Sequence, residues 1–474
     1  MTNPAGSRWG CVGVLLWSVL AWAAVGAAQE RPSTFLNQQR AIEDELRREF
    51  DAKRPLEQRF EVDWGGWYNF YLFLYDDGVN SSRTFRRNDL RLWARFGLEE
   101  GTHEGYVRAR LSYLDFNTGD SFDGNDDDWD GPNLERGYYQ FSLQKAMWAY
   151  GRRRVPYDLR FKIGRDFVEM GTGYAVSLPL DHVALTGEWH NFELMGLMGK
   201  TPSSLDDIDR TRPGSDGSKR NFFGFQARYN GLEKHRPFFY GVWQDDKQGE
   251  SPPRLLQNFT YDSYYLGVGS TGELFKDVRY STEWVYEGGR SYGDRKFREQ
   301  DHINAWAWDL LLEYLPTLKT KPRFSFEYMF ASGDPNRFGS PTDAIGGNTY
   351  GNDSSFVGFG YRDTGLSFAP RLSNIHVWRM GASFFPFESV RLLREMELGT
   401  DWFLYAKNRA PAAVSDPLAD QANGYLGWEM DYFANWRVTS DVALTFRYGV
   451  FFPGSAFSDQ TTRTFFLTGL TWSF

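Results

Sequence analysis

Basic side chains recur at every second position in several segments of this sequence, opposite a set of apolar residues. In DLRLWARFGL, Arg91 and Arg95 alternate with Leu90, Leu92 and Phe96. The same alternation gives a further set of cations: Arg108, Arg110, Arg136, Arg160, Lys162 and Arg447. Guanidinium groups hold carboxylates through paired hydrogen bonds, and rings of Arg or Lys select anions in pores. The spacing therefore predicts a cationic surface suited to an anionic sugar chain or another anion.

Side chains that alternate in this way indicate β-strands, because successive residues of a strand point to opposite faces. Alternating segments begin near the following residues: Phe60, Asp89, Tyr106, Leu134, Asp158, Asp181, Asn191, Asn221, Pro237, Tyr261, Val278, Ile303, Arg323, Ser373, Met396, Gly424, Asp441 and Thr462. This gives about 18 strands, an even number, with a long aromatic face that suits lipid. The sequence therefore predicts an all-β fold, a closed antiparallel transmembrane β-barrel of about 18 strands.

The composition agrees with strands that expose only one face to lipid. Phe, Trp and Tyr make up 18% of the 474 residues, yet the mean hydropathy is −0.55. A polar average of this kind results when the alternate residues face water. The formal net charge of −9 argues against a nucleic-acid partner. The only cysteine is Cys11, which excludes a fold held by disulfides.

Loop lengths are segregated along the chain. Long polar connections such as Thr118–Asn133 and Gly333–Arg371 follow odd-numbered segments, whereas short ones such as Gly272–Lys276 and Thr439–Ser440 follow even-numbered segments. Bacterial outer-membrane barrels have long extracellular loops and short periplasmic turns. The last residue, Phe474, ends an alternating strand and resembles the signal read by the outer-membrane insertion machinery. The predicted location is the outer membrane of a Gram-negative type of cell.

The N-terminal segment differs from the rest of the chain. Arg8 precedes an apolar run and then small residues, which is typical of a secretory signal peptide. Further on, Ile42, Leu46 and Phe50 recur at four-residue spacing among charges, which predicts a short helix. The predicted domains are residues 1–28 as the signal peptide, 29–58 as an N-terminal periplasmic helical extension, and 59–474 as the barrel.

The predicted lumen also contains acids, mostly on the later strands. They are Asp309, Glu313, Glu327, Glu397, Asp401, Glu429 and Asp431. Two interpretations stay open at this point. Either the cations form an anion-selective wall, or they pair with inward acids and keep the lumen hydrated.

Neither a cofactor nor an enzymatic activity is predicted. Asp123, Asn125 and Asp127 have the spacing of the first three ligands of a calcium loop, but Asp128 replaces the glycine and Leu134 replaces the final glutamate. These residues are therefore weak metal candidates on an acidic loop. The six histidines form no H-E-x-x-H motif, and the sequence contains neither a G-x-S-x-G nucleophile motif nor a phosphate loop.

Several fragments resemble the bacterial alginate export protein family. They are DLRLW at Asp89–Trp93, RGYYQFSL from Arg136, LRFKIGRDF through Arg165, LSN at Leu372–Asn374, and the closing LTFRYGVFFPGSAFS with TTRTFFLTGLTWSF. The resemblance implies an 18-stranded barrel with an electropositive constriction for an anionic polysaccharide. It would give Arg91, Arg136, Arg165 and Arg447 a place in that constriction. Arg165 has the opposite parity to Lys162, so it faces the lumen only if the strand bulges, for instance at Gly164.

The leading hypothesis from the sequence is a pore that exports an anionic, alginate-like exopolysaccharide. Its partners would be that polysaccharide, outer-membrane lipid and periplasmic secretion-complex proteins. The alternative is a general or anion-selective diffusion porin for small solutes. An outer-membrane lipase or protease and a structural or adhesive barrel are further hypotheses from other classes.

Overall fold

The structure is a computed structural model. It describes residues 60–78, 80, 82–121, 127–209, 211–212, 217–248, 258–293, 299–345, 347 and 351–474. The predicted signal peptide and the predicted helical extension lie outside the described residues. Within the described ranges, no helix is long and apolar enough to cross a membrane.

Eighteen antiparallel strands form one sheet in chain order. Their bounds are β1 Phe60–Asp76, β2 Arg83–Leu98, β3 His103–Phe116, β4 Asp128–Ser142, β5 Tyr157–Glu169, β6 Ser177–Trp189, β7 Phe192–Lys200, β8 Arg220–Tyr229, β9 His235–Asp246, β10 Asp262–Phe275, β11 Val278–Gly293, β12 Gln300–Tyr314, β13 Arg323–Ala331, β14 Ile375–Phe384, β15 Met396–Lys407, β16 Tyr425–Arg437, β17 Val442–Pro453 and β18 Arg463–Ser473. The sheet closes because β1 pairs with both β2 and β18. The predicted fold class is confirmed.

The predicted strands all correspond to observed ones, and the largest offsets, six residues each, are at the starts of β2 and β4. Strand β2 begins at Arg83 rather than near Asp89. The sequence TFRRN between these positions breaks the apolar alternation, yet its backbone continues the ladder with both neighbours. Backbone pairing therefore extends the strand beyond its lipid-facing part.

Exposure alternates along the strands as the sequence predicts. On β1, Trp64 is 74% exposed on the outer face, whereas Trp67 is 8% exposed on the inner face. The run Gly65-Gly66 lies between them, and Gly66 packs against the C-terminal residue through backbone hydrogen bonds of 2.9 Å. Aromatic and branched residues on the outer face supply the apolar band that such a barrel presents to lipid.

In the part of the chain that the structure describes, one short helix interrupts the sheet on the side of the short turns. Helix α1, Leu143–Gly151, connects β4 to β5, and the sequence analysis did not predict it. Ser142 caps its first turn by accepting a hydrogen bond from the Lys145 amide, and Arg152 ends it in the left-handed conformation. Such caps satisfy terminal backbone groups, which allows so short a helix to form.

Two connections on the side of the long loops fold back into the barrel. We call residues 170–176 the inner turn, and residues 332–345, 347 and 351–374 the inner loop. Tyr174 and Val176 of the inner turn and Phe356 of the inner loop are at most 1% exposed. The two segments pair directly, since the Phe359 amide donates to the Ala175 carbonyl at 2.7 Å. The apolar core of the protein therefore lies inside the barrel, against one part of its wall.

Candidate functional site

Seven of the cations on the inner face of β2 to β5 form a group that we call the basic wall. They are Arg91, Arg95, Arg108, Arg110, Arg136, Arg160 and Lys162. Their side chains are between 15% and 34% exposed, so all of them reach the lumen. They come from four adjacent strands, which places them on one continuous part of the wall.

Carboxylates lie among these cations. Glu135 contacts three of the arginines, with Arg91 at 3.0 Å, Arg108 at 2.9 Å and Arg110 at 3.7 Å. Asp166 binds both Arg136 and Lys162. The Asp166 side chain is only 3% exposed, whereas the cations that cover it are 17% and 24% exposed. Here the water-facing layer is cationic and the carboxylate lies beneath it.

A bulge in β4 places Glu135 among the arginines. Arg108 is opposite Arg136, but the next residue, Ala109, is opposite Leu134, so Glu135 is left without a cross-strand partner. An extra residue of this kind lets two successive side chains point to the same face. Glu135 and Arg136 therefore both point inward. Simple alternation could not predict this, and the sequence analysis missed Glu135.

The opposite part of the inner face carries acids, and we call it the acidic wall. Its members are Glu283, Glu287, Asp309, Glu327, Asp401, Glu429 and Asp431, on β11, β12, β13, β15 and β16. None of them is more than 5% exposed. Two other acids predicted to face inward, Glu313 and Glu397, are bound to neighbouring strands by Arg323 at 2.6 Å and by Ser383 at 2.5 Å.

Buried arginines neutralise part of the acidic wall. Arg362 of the inner loop contacts Asp309 at 2.8 Å and Glu327 at 3.8 Å. Arg379 of β14 contacts Glu327 at 3.2 Å and Asp401 at 2.8 Å. Burial alone would lower the pKa of Arg362, but the neighbouring carboxylates raise it above its ordinary value. Arg362 is therefore charged and paired inside the barrel.

Arg362 also joins the two inward-folded segments. Its Nη1 donates to the carbonyl of Thr172 in the inner turn at 3.0 Å. Thr172 in turn donates through Oγ1 to Glu283 of the acidic wall at 2.6 Å. Each link is a charge-assisted hydrogen bond in a buried site, a class stronger than neutral pairs. One side chain thus connects the inner loop, the inner turn and the wall.

The remaining acids of the wall bind the backbone of the inner loop. Glu429 accepts hydrogen bonds from the amides of Leu366 at 2.7 Å, Ser367 at 2.6 Å and Phe368 at 3.0 Å. Glu287 accepts one from the Val357 amide at 2.8 Å. These carboxylates are occupied by protein groups. The acidic wall is covered, whereas the basic wall remains accessible.

Arg447 lies apart from the basic wall, on β17. It is opposite Phe433 on β16, with its guanidinium 5.8 Å from the centre of that ring. Its neighbours Phe446 and Tyr448 are 40% and 42% exposed on the outer face. The structure therefore places Arg447 on the inner face, as alternation predicts.

Arg165 is placed on the outer face, which corrects the expectation carried by its sequence motif. Ile163 and Phe167, with the same parity, are 45% and 51% exposed, whereas Asp166 is buried inside. Gly164 has a positive φ of 130°, but the pairing of β5 with β6 runs through it without a register shift. Arg165 instead binds Asp181 at 2.6 Å, also on the outer face. It does not line the lumen.

The weak calcium candidate is only partly described. Asp123 and Asn125 lie outside the described residues. The Asp127 carboxylate accepts a hydrogen bond from the Phe116 amide at 2.7 Å, which ends the β3–β4 ladder. Among the residues that the structure describes, no group of three or more His, Cys, Asp or Glu side chains is arranged to hold a metal ion.

A family model described as alginate export matches residues 207–466, which is more than half of the chain. The chain belongs to the alginate export family. The match covers the inner loop and the acidic wall of this family member. The basic wall lies before the matched range, on β2 to β5.

The solved structures similar to this alginate export family protein are outer-membrane porins. OccK5 (OpdH) of Pseudomonas aeruginosa superposes with a TM-score of 0.54 at 11% identity, over 87% of this chain and 98% of that one. A BenF-like porin from Pseudomonas fluorescens Pf-5 gives 0.52 at 13% identity, over 87% and 98%. OpdK of Pseudomonas aeruginosa, solved with vanillate, gives 0.51 at 11% identity, over 87% and 98%. At such identities the likeness concerns the fold alone.

A comparison with curated proteins finds no match. The family and the fold together make this protein an outer-membrane β-barrel pore. Its short turns therefore face the periplasm, and its long loops face the cell exterior.

The outer-face pair Arg165–Asp181 gives a test of its placement. Replacing Asp181 by Asn is expected to lower the free energy of unfolding by about 2 kcal/mol, because a lipid-facing Arg without its carboxylate is costly. Urea unfolding in phosphatidylcholine vesicles would measure this. The double substitution Arg165→Leu, Asp181→Leu removes both charges and should recover most of the loss. If Asp181→Asn leaves stability unchanged, the pair does not face lipid.

Proposed function

We propose that this protein exports an anionic, alginate-like exopolysaccharide through the part of the lumen beside the basic wall. One observation carries the proposal. The cations of the basic wall are 15% to 34% exposed, whereas every member of the acidic wall is at most 5% exposed. A polymer of uronate units presents a carboxylate at regular intervals, and Arg holds carboxylates bidentately. The family to which the chain belongs supports the same substrate class.

The carboxylates among the basic wall would let the polymer move, because they compete with it for the same cations. Arg91, Arg108 and Arg110 share Glu135, so a passing carboxylate competes with a group already in place. Conduction requires binding strong enough for entry and weak enough for release. Pre-paired arginines meet both conditions, because they can exchange one carboxylate for another. No covalent step is needed, so we propose a passive pore without enzymatic activity, driven by polymer synthesis elsewhere.

A second candidate is an anion-selective diffusion porin for small solutes. The porin-like fold favours it, and one protein with that fold, OpdK, has been solved with vanillate, a small carboxylate. The basic wall would serve either substrate. The two proposals differ in the size of the transported molecule. A polymer contacts several cations at once, whereas a small anion contacts one or two.

Planar-bilayer recording of the full-length protein distinguishes the proposals. We expect the conductance to be anion-selective. This selectivity should weaken as the salt concentration rises, because salt screens exposed charges. Soluble oligouronates should block the current, and the blocking constant should fall steeply as chain length increases. A neutral glucan of the same length is the control. Anion selectivity with equal block by uronate monomer and polymer would favour the diffusion porin. A cation-selective wild type would contradict both.

A further inference from the structure

Three consecutive arginines lie at the periplasmic end of the β4–β5 hairpin, where the pore function does not use them. Arg152, Arg153 and Arg154 directly follow helix α1, and all three are exposed. Arg152 contacts Glu100 of the β2–β3 turn at 3.1 Å. Among the described residues, Arg153 and Arg154 have no ion-pair partner. This leaves a concentrated positive charge on the periplasmic rim.

The helix that carries these arginines packs toward the lipid side of the rim. The Tyr150 hydroxyl is 3.4 Å from Nε2 of His103, and Nδ1 of the same histidine is 2.6 Å from the Tyr139 hydroxyl. Tyr139 is 38% exposed on the outer face of β4, and His103 has the parity of outward-facing Val107 on β3. The cluster therefore lies beside the apolar band and outside the lumen.

Aromatic residues mark the level of the membrane interface at this point. Tyr157 begins β5 and is opposite Trp189 at the end of β6, and these residues are 40% and 63% exposed. Tyr150 of the helix is 65% exposed. Tyr and Trp concentrate where lipid headgroups begin. Arg154 comes three positions before Tyr157, about 10 Å along an extended chain, so the arginines lie at headgroup level.

Two of the guanidiniums are held in place by an aromatic ring. The Arg154 and Arg152 guanidiniums lie 5.0 Å and 5.8 Å from the centre of the Trp148 ring. A cation over an indole face loses mobility without losing its charge. The cluster is thus partly ordered before any ligand binds, which lowers the entropic cost of binding.

We propose that Arg152, Arg153 and Arg154, with Trp148 and Tyr150, bind the headgroup of an anionic phospholipid in the periplasmic leaflet. Arg forms paired hydrogen bonds with phosphate oxygens, and basic clusters at a membrane surface attract anionic lipid. The position on the lipid side of the rim favours a lipid over the exported polymer, which must enter the lumen. This site is additional to the proposed export function and does not depend on its substrate.

Native mass spectrometry of the detergent-solubilised full-length protein tests the site. The protein is mixed with equal amounts of phosphatidylglycerol and phosphatidylcholine, and the bound lipid is counted. We expect wild type to retain phosphatidylglycerol preferentially. The variant Arg152→Gln, Arg153→Gln, Arg154→Gln should retain about tenfold less or lower still. The matched control is Lys319→Gln, Arg391→Gln, Arg394→Gln, which removes the same charge from exposed residues elsewhere on this rim and should bind like wild type.

A second variant and a competition experiment complete the test. If the triple variant does not fold, as judged by heat-modifiable electrophoretic mobility, Arg153→Gln, Arg154→Gln spares the Arg152–Glu100 contact and serves instead. Inorganic phosphate at the lipid concentration should not displace the lipid. Equal phosphatidylglycerol retention by variant and wild type would overturn the proposal. So would a variant that keeps its lipid but loses block by oligouronates, because the arginines would then be a polymer entry site.

Discussion

Replacing Arg362 by alanine is expected to release the inner loop and raise the single-channel conductance. The substitution leaves Asp309 buried without its cation and removes the link to Thr172 of the inner turn. Removing one partner of a buried ion pair costs about 3–5 kcal/mol of stability, because the other charge stays buried without compensation. At 1.4 kcal/mol per factor of ten, this shifts the loop toward the released state by roughly 10² to 10³-fold. Planar-bilayer recording would detect the larger conductance, and limited proteolysis would detect the released loop.

Two matched variants separate this effect from general damage. Arg371→Ala makes the same change at an exposed arginine of the same loop and should leave conductance and proteolysis unchanged. Arg362→Lys retains the charge but cannot reach Asp309 and Thr172 together, so an intermediate effect is expected. The strand ladder does not involve these side chains, so the barrel should remain folded. Wild-type conductance with a protected loop in Arg362→Ala would show that other contacts hold the loop.

Neutralising three arginines of the basic wall is expected to reverse the ion selectivity of the pore. In the variant Arg91→Gln, Arg108→Gln, Arg136→Gln, Glu135 loses two of its three cations and Asp166 loses one of its two. The same inner face then carries accessible negative charge. The reversal potential in a salt gradient should therefore change sign, and block by oligouronates should weaken by about tenfold or more, at the usual 1.5–3 kcal/mol per charged hydrogen bond.

The conservative triple variant Arg91→Lys, Arg108→Lys, Arg136→Lys is the control for this experiment. Lys retains the charge but not the planar fork that binds carboxylate bidentately. We expect it to remain anion-selective while its block by oligouronates weakens. This outcome separates charge from geometry. If the glutamine variant stays as anion-selective as wild type, the basic wall does not set the selectivity.

Alternation predicted most of the barrel because it is a local property of each strand. Arg91 and Leu92 are adjacent, and their opposite faces follow from strand geometry alone. The same reasoning failed where the backbone departs from simple alternation. Glu135 points inward only because β4 bulges opposite β3. Helix α1 was missed because it has only nine residues and directly follows the last residue of β4.

The site also contains residues that the sequence analysis did not single out. Arg362 lies in a connection predicted to be a polar outer loop, although the segment FVGFGY just before it is apolar and could have signalled burial. Arg165 shows the opposite failure, because its family motif suggested the lumen while its parity indicated lipid. Its partner Asp181 on β6 has the same outward parity. Parity was the better guide there, since it reports local geometry and a motif does not.

The sequence by itself determined the closed barrel, the number of strands and the face on which each cation lies. These follow from period-two patterning, which depends only on neighbouring residues. Only the tertiary structure decided which charges of the lumen remain accessible. That outcome depends on contacts between distant segments, such as Arg362 with Thr172, which are 190 residues apart. The same set of inward acids and bases could make the pore selective for anions or for cations. Here the inner loop covers the acidic wall, and the arginines of the basic wall stay in contact with water.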